Sequence, residues 1–467
     1  MASMVAWGVY DPYVTTVLNK MLSGSDTITH WSMALSQKFP FLLNFMAAQG
    51  EDVGSASGGF TLVPLFIGII MTFDNVFGVI FQPAFGKLSD RCRSRLGKRR
   101  PFILIGAPVS AVLFILIPRM TNIPALMTCI ILFVFVMSLW RSPCVALMPD
   151  LTPPELRSEG NAVINLVGGV GSMLALQAAT IICLVFGFNK STDEDKYIPY
   201  VFMFAAVIMI ICTLVVFFFV KEPDSRLKIT AKKNMRADAA ERRRREKAER
   251  KAENARLRAI KLSRGERRSL IFMLLCLFFL YCGSNSVQTF FALFVAEVLG
   301  KSSGEAASMM TIFAVFTALG AIPAGFLGKR IGRKNTIILG LSMFISVFVA
   351  YLAVSAFAPS AMLVLVWIAL IVSGFANMLI NVNTLPLVLE IGPEEKIGTF
   401  TGYYYTATFS AQIATPILYG IVRMLSGTYA SLFVYAPAAL GLSLVCVLFV
   451  RHGEALPQEI IDKAENS

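Results

Sequence analysis

The sequence predicts an all-α membrane protein with about twelve transmembrane helices in two pseudo-symmetric halves of six. Three observations predict it. First, 56% of the 467 residues are apolar and 15% are charged, whereas soluble domains carry about a quarter charged residues. Second, the charges cluster, so runs such as 103–117, 198–220, 270–280 and 430–450 hold almost none. A helix needs about 20 apolar residues to cross about 30 Å of hydrocarbon. Third, short motifs recur across the two halves. The apolar runs are continuous rather than alternating, which excludes strands of a membrane barrel, and lipid demands a closed backbone hydrogen-bond pattern.

Twelve spans follow in order, near residues 1–22, 60–87, 101–118, 124–148, 160–187, 198–220, 269–299, 306–328, 335–357, 361–389, 398–424 and 429–450. The first is marginal. It holds Trp7, Tyr10 and Tyr13, but also Asp11 and Pro12. Either this helix is short or the numbering starts inside a longer one, and no cleavable signal pattern precedes it. The long segment 22–59 follows, whose part 31–48 is amphipathic enough for a helix lying at the interface, as a lid or as decoration. The N-terminal bundle is thus 1–220, a basic linker runs over 221–268, the C-terminal bundle is 269–451, and 452–467 is a tail. The eight cysteines are scattered, mostly in spans, without metal-ligand spacing, and suit small apolar packing positions.

The uneven spread of the +13 net charge along the chain predicts the orientation. Residues 221–268 carry 19 Lys/Arg against 8 Asp/Glu, and 87–100 carry seven basic residues against Asp90. Basic loops face the cytoplasm, which puts both termini inside. The run Glu241–Lys247, with four arginines between acids, reads as a linker touching anionic lipid rather than as a nucleic-acid element.

The repeats pair 86–91 with 325–330, 95–99 with 330–334, and 150–153 with 390–393. Two six-helix halves on a basic linker are the plan of a rocking carrier with its site between the halves.

The string from Gln82 to Leu104, containing Gly86-Lys87-Leu88-Ser89-Asp90-Arg91 and Arg95-Leu96-Gly97-Lys98-Arg99, resembles the signature of the sucrose/proton symporters. These belong, with the glycoside–pentoside–hexuronide cation symporters, to the major facilitator superfamily. Pro143-Cys144 with Ala146-Leu147 and Asp150-Leu151 is similar to the end of the fourth helix in plant members. Gly398-Thr399-Phe400-Thr401-Gly402-Tyr403-Tyr404-Tyr405 is similar to the eleventh helix of bacterial relatives. The resemblance implies the major facilitator fold and cation-coupled uptake of a glycoside. The chain departs from the pattern in places. Val145 stands where plant members carry arginine, with Arg141 one turn earlier. Val134 stands where they carry aspartate, and Gly78 and Gln82 stand where melibiose relatives carry acids.

Three ionisable residues are candidates for proton coupling: Asp74, Arg141 and Asp11. Asp74 interrupts an otherwise uncharged stretch, 67–81. A carboxylate in hydrocarbon costs several kcal/mol and usually faces a cavity, and such a group suits reversible protonation; the bland alternative is a structural carboxylate bonded to Asn75. Counting at 1.5 Å per residue puts Asp74 about 24 Å and Arg141 about 13 Å from the inner face. That separation argues against direct pairing unless the helices slide or a water intervenes. Arg141, whose planar fork grips hydroxyls or a carboxylate, is a substrate ligand or a partner whose pairing with Asp74 breaks on protonation; the bland alternatives are a fixed ion pair or a side chain that snorkels to the interface. Asp11 precedes Pro12, where a broken backbone would expose polar groups. No histidine lies inside a span, since His30 and His452 fall outside.

Candidate substrate ligands are Arg141, Asn161, Asn165, Asn285, Gln288, Asn381, Asn383, Tyr404 and Gln412, with Gln177, Asn377, Tyr403 and Tyr405 nearby. Amides and aromatic rings suit the hydroxyl edges and apolar faces of a sugar, and amides also join membrane helices. Gly86, Asp90, Arg91, Arg95, Gly97 and Arg99 sit at the membrane edge, too far from the midplane to touch a ligand, and read as a conformational latch or as topogenic charge. No nucleophile, metal or nucleotide motif points to an enzyme or a cofactor. The expected partners are a small sugar or glycoside, a coupling proton or in its place sodium, and the bilayer, with no nucleic acid and the chain a monomer. The compact loops suit a bacterial inner membrane. An exporter of drugs or metabolites and a non-transporting receptor remain as alternatives.

Overall fold

The computed structural model describes residues 1–38, 61–153, 156–222, 262–357, 362–391 and 397–452. Most of the outer segment beyond Lys38, the linker over 223–261 and the tail beyond His452 therefore lie outside the described residues. Fifteen α-helices are described: α1 (Ala2–Ser23), α2 (Asp26–Lys38), α3 (Val63–Arg91), α4 (Arg100–Leu116), α5 (Ile123–Leu151), α6 (Arg157–Leu176), α7 (Ala178–Phe186), α8 (Glu194–Phe219), α9 (Arg264–Leu299), α10 (Ser303–Leu319), α11 (Ala321–Arg330), α12 (Arg333–Phe357), α13 (Met362–Glu390), α14 (Ile397–Ser426) and α15 (Leu432–Leu448). No strand occurs among the described residues.

Eight of these helices are long and apolar enough to cross a membrane, and two bent pairs raise that to ten. The other two predicted spans, 1–22 and 398–424, are the helices α1 and α14. Of the segment 31–48, residues 31–38 lie in α2 (Asp26–Lys38), and 39–48 lie outside the described residues. Two spans read as single helices are bent instead, α6–α7 by 50° and α10–α11 by 42°. The second bend has a sequence cause. Pro323 cannot donate to the carbonyl of Leu319, four residues back, and its ring crowds that oxygen. Accordingly α10 stops at Leu319 and α11 begins past Gly320.

The described residues group into two compact units, one within 1–10, 73–189 and 195–261, the other within 11–72, 190–194 and 262–467. In the first, the core is aromatic: Phe114, Phe133, Phe202, Trp140 and Tyr10 are fully buried. Trp140 Nε1 donates to Ser110 Oγ at 3.1 Å, which satisfies the indole inside the core.

In the second unit, the start of α3 seats against α14. Thr72 Oγ1 donates to the Ile413 carbonyl at 3.2 Å. Gly68 lies against Pro416, and a Cβ on Gly420 would come within 2.8 Å of the Pro64 carbonyl. Two backbones approach this closely only where one of the facing residues, here Gly68 or Gly420, lacks a side chain. At the start of α10, Ser302 and Glu305 form a capping box, and Glu194 accepts hydrogen bonds from the Ser303 amide, at 2.7 Å, and from its hydroxyl.

Candidate functional site

The first unit gathers an ionisable cluster on three helices. Asp74 sits half-buried in the middle of α3. One of its oxygens accepts from the Asn75 amide N–H at 2.6 Å and from Asn75 Nδ2 at 2.8 Å. Arg141 of α5 lies within electrostatic reach of Asp74, although counting along the helices set them about 10 Å apart in depth. The Arg141 guanidinium also lies over the Trp7 ring of α1, 5.7 Å from its centroid. Sequence reading passed over Trp7, because nothing in its own neighbourhood announces a cation 134 positions away.

Beside this cluster, Phe77, Phe81 and Phe85 recur at one-turn spacing along α3, and Phe135 of α5 meets all three edge-on at 5.2–6.5 Å. Asp74, Gly78 and Gln82 form the adjoining stripe of the same helix, and Gly78 leaves it narrow. Asn165 on α6 is exposed, and the side chain of Asn161 lies outside the described residues.

The second unit gathers neutral polar groups on α9, α13 and α14. Tyr281 donates to Asn381 Oδ1 at 3.0 Å. Asn381 Nδ2 is held by the Asn377 carbonyl at 2.8 Å and by Asn377 Oδ1 at 2.9 Å. The Tyr404 hydroxyl lies 3.4 Å from Thr384 Oγ1 and within hydrogen-bonding reach of Tyr281. Tyr405 stands edge-on to Tyr404 at 5.4 Å. Asn285, one turn past Tyr281, has a buried Nδ2 with no partner among the described residues. Gln412 is half-buried on α14, and Asp11 is half-buried on α1; the Asp11 carbonyl accepts from Thr15 Oγ1 at 3.0 Å.

Two expected ligands stand elsewhere. Asn383 is buried, and its amide donates to the Ala324 carbonyl of α11 at 3.2 Å and to the Leu379 carbonyl at 2.8 Å. It joins two helices, and Gly328 leaves room for it. The spacing carried that signal, since two residues along a helix rotate a side chain by about 200°, away from the Asn381 face. Gln288 edges an aromatic pocket formed with Phe291, Phe313, Phe344, Phe348 and Phe433.

At the inner edge of the first unit, Arg99 is the hub. It pairs with Asp90, with Asp150 at 2.9 Å and with Ser89, and donates to the Gly86 carbonyl at 3.2 Å. Lys98 adds a second cation on Asp150 at 3.0 Å. Burial pushes the Asp150 carboxyl up, but hydrogen bonds from Arg99 and Lys98 outweigh it and hold the group below the ordinary aspartate range. Gly97 adopts φ +95° against Glu222, and Glu222 accepts the amides of Arg99 and Arg100 at 2.9 and 3.2 Å, closing the start of α4. Of the six expected latch residues, Gly86, Asp90, Gly97 and Arg99 meet here, while Arg91 and Arg95 are exposed. Lys98, Asp150 and Glu222 complete the cluster. Among the described residues, no three His, Cys, Asp or Glu side chains converge as metal ligands would.

Residues 60–393 match the family described as MFS/sugar transport protein. The chain belongs to this family. Its members are transporters rather than enzymes, and this one is an integral membrane protein with the major facilitator fold. One curated relative of this MFS protein is the sucrose transport protein SUC3 of Arabidopsis thaliana, 27% identical over 194 residues, which are 34% of this chain and 31% of the relative. The chain thus matches about a third of the length of that relative. Among solved structures, the nucleoside transporter NupG is similar with TM-score 0.60 at 15% identity over 96% of both chains. A D-xylose-proton symporter is similar with TM-score 0.58 at 16% identity, over 96% of this chain and 95% of that one.

Proposed function

We propose that this protein takes up a sugar or glycoside by alternating access, driven by a proton gradient. The observation that carries the reading is Asp74, a carboxyl set in the middle of an apolar membrane helix within electrostatic reach of Arg141. Ionised, Asp74 attracts the guanidinium; protonated, it releases it. A pairing that depends on one proton links proton binding to the arrangement of α3 and α5. The Tyr281–Asn381–Tyr404 cluster supplies neutral hydroxyls and amides of the kind that recognise hydroxylated ligands, with rings beside them for a sugar's apolar face. The named relatives, a sucrose transport protein and a D-xylose-proton symporter, support a sugar as substrate and a proton as coupling ion.

In this reading the basic segment 221–268 and both termini face the cytoplasm, and the protein works as a monomer. The inner-edge cluster around Arg99 holds the first bundle rigid while it moves. A second reading, export of an apolar drug or metabolite, draws on the phenylalanine pocket beside Gln288.

The test is transport in liposomes loaded with labelled disaccharides, monosaccharides, glucuronides or an apolar cation, at varied pH and sodium. Accumulation of a sugar driven by a pH gradient is expected. An Asp74→Asn variant is expected to keep sugar exchange and lose accumulation against the gradient. Undiminished uphill uptake in that variant would remove the proposed role of Asp74, and a requirement for sodium would replace the proton.

A further inference from the structure

We infer that Trp7 is a positioning residue: its ring face holds the Arg141 guanidinium whenever Asp74 does not. The inference rests on the proton-coupled reading for its purpose, but its geometry stands alone. Arg141 has two attractions on two different helices, the Asp74 carboxylate on α3 and the Trp7 ring on α1, 5.7 Å from the guanidinium carbon to the centroid. In a low-dielectric interior an ionised carboxylate outweighs a ring face, and once the carboxyl is neutral the ring is the stronger of the two. Without such a holder, a long cationic side chain in the middle of a membrane helix stretches to the nearest headgroup layer. An arginine that has left the interior must be brought back, at a large desolvation cost, before the next cycle.

The ring is built to stay where it is. Trp7 meets Tyr10 edge-on at 5.2 Å and Phe133 at 6.2 Å. Tyr10 stacks on Phe133 at 5.7 Å, Phe133 on Phe114 at 4.9 Å, and Phe114 lies 4.6 Å from Phe202. Tyr10, Phe114, Phe133 and Phe202 are all fully buried, so Trp7 is anchored through α5 and α4 to α8 by contacts that resist rotation. Its indole N–H is buried with no acceptor among the described residues, so what fixes the ring is packing, and what it offers Arg141 is its face. The ionisable groups that these contacts place around Arg141 and the ring are Asp74 on α3 and Tyr10 on α1.

The experiment labels the four tryptophans of the purified full chain with 5-fluorotryptophan and assigns Trp7 in the fluorine spectrum by its loss in Trp7→Phe. The Trp7 resonance is expected to move in Arg141→Gln and again, differently, in Asp74→Asn, where the guanidinium rests on the ring. Uphill accumulation is expected to fall about tenfold in Trp7→Leu, the scale of a desolvated cation–ring contact, and to recover to within about threefold of wild type in Trp7→Phe, which keeps a ring. A Trp7 resonance that ignores Arg141→Gln would overturn the inference, as would equal losses in Trp7→Leu and Trp7→Phe. The spectrum is readable even if Trp7→Leu fails to fold. It also separates the two claims, because a wild type that accumulates no sugar sinks the transport reading without touching the resonance.

Discussion

The two halves close their inner edges with the same parts in unequal strength. Gly97 and Gly332, 235 positions apart as the repeat requires, both turn with positive φ, +95° and +88°. The residue after each is a cation that meets an acid at the end of a later helix, Lys98 with Asp150 and Arg333 with Glu390. The next residue reaches the last span of its own half. The Arg99 amide is taken by Glu222 just past α8, and Lys334 donates to the Leu448 and Val450 carbonyls at the end of α15. In the first half, however, position 99 is a buried arginine that gathers two carboxylates, a hydroxyl and a carbonyl. Among the described residues of the second half, the equivalent lysine bonds only carbonyls and one Glu390 oxygen is buried without a partner. The repeat conserves the turn and the acid, while the number of ionic contacts is free to drift.

The comparison can be broken hardest at its hub. Arg99→Gln removes the buried cation that bonds Asp90, Asp150, Ser89 and the Gly86 carbonyl, leaving Lys98 on Asp150, and is expected to cost about 3 kcal/mol through these lost hydrogen bonds, read as a fall in the melting temperature of the detergent-solubilised protein. Gly97→Ala is expected to cost about 2 kcal/mol and Gly332→Ala about 1 kcal/mol in the same assay. Both force a side chain into the left-handed region, but at Gly97 the new carbon also meets the Glu222 side chain. Equal losses would show that the contact with Glu222 is soft. Arg333→Gln is expected to cost under about 1 kcal/mol, because that pair is about a third exposed and screened by solvent. The smallest effect is acidic. Asp150 has a depressed folded pKa, so its contribution is present above the ordinary aspartate value of about 3.9 and is lost as pH falls through the folded value. Stability of the wild type is expected to drop more than that of Asp150→Asn when the pH is lowered from 5 to about 3.

Much of the fold was legible because membrane spans are written as uninterrupted apolar stretches, which need no knowledge of neighbours. The bends were legible only in part. Pro323 marks one, whereas nothing as plain marks Gln177. Asp74 and Arg141 declared themselves by the cost of a charge in hydrocarbon. What surrounds them did not, since Trp7 is an ordinary aromatic until the chain brings α1 against α5. Amides were the least readable residues: Asn381 bonds to Tyr281 while Asn383 ties α13 to α11, and the same chemistry serves both ends. Tyr281 was missed although it stands one turn before Asn285, and Glu222 was missed because its partners lie more than 120 positions away.

Glu222 is also the last residue before the proline that opens the arginine-rich stretch, and its carboxylate is fastened to the first amides of α4. It serves as a mooring. Tugging on the chain beyond it, as anionic headgroups would, loads the start of α4 before it loads α8. Cutting that mooring with Glu222→Gln would let such a pull run straight up the sixth span.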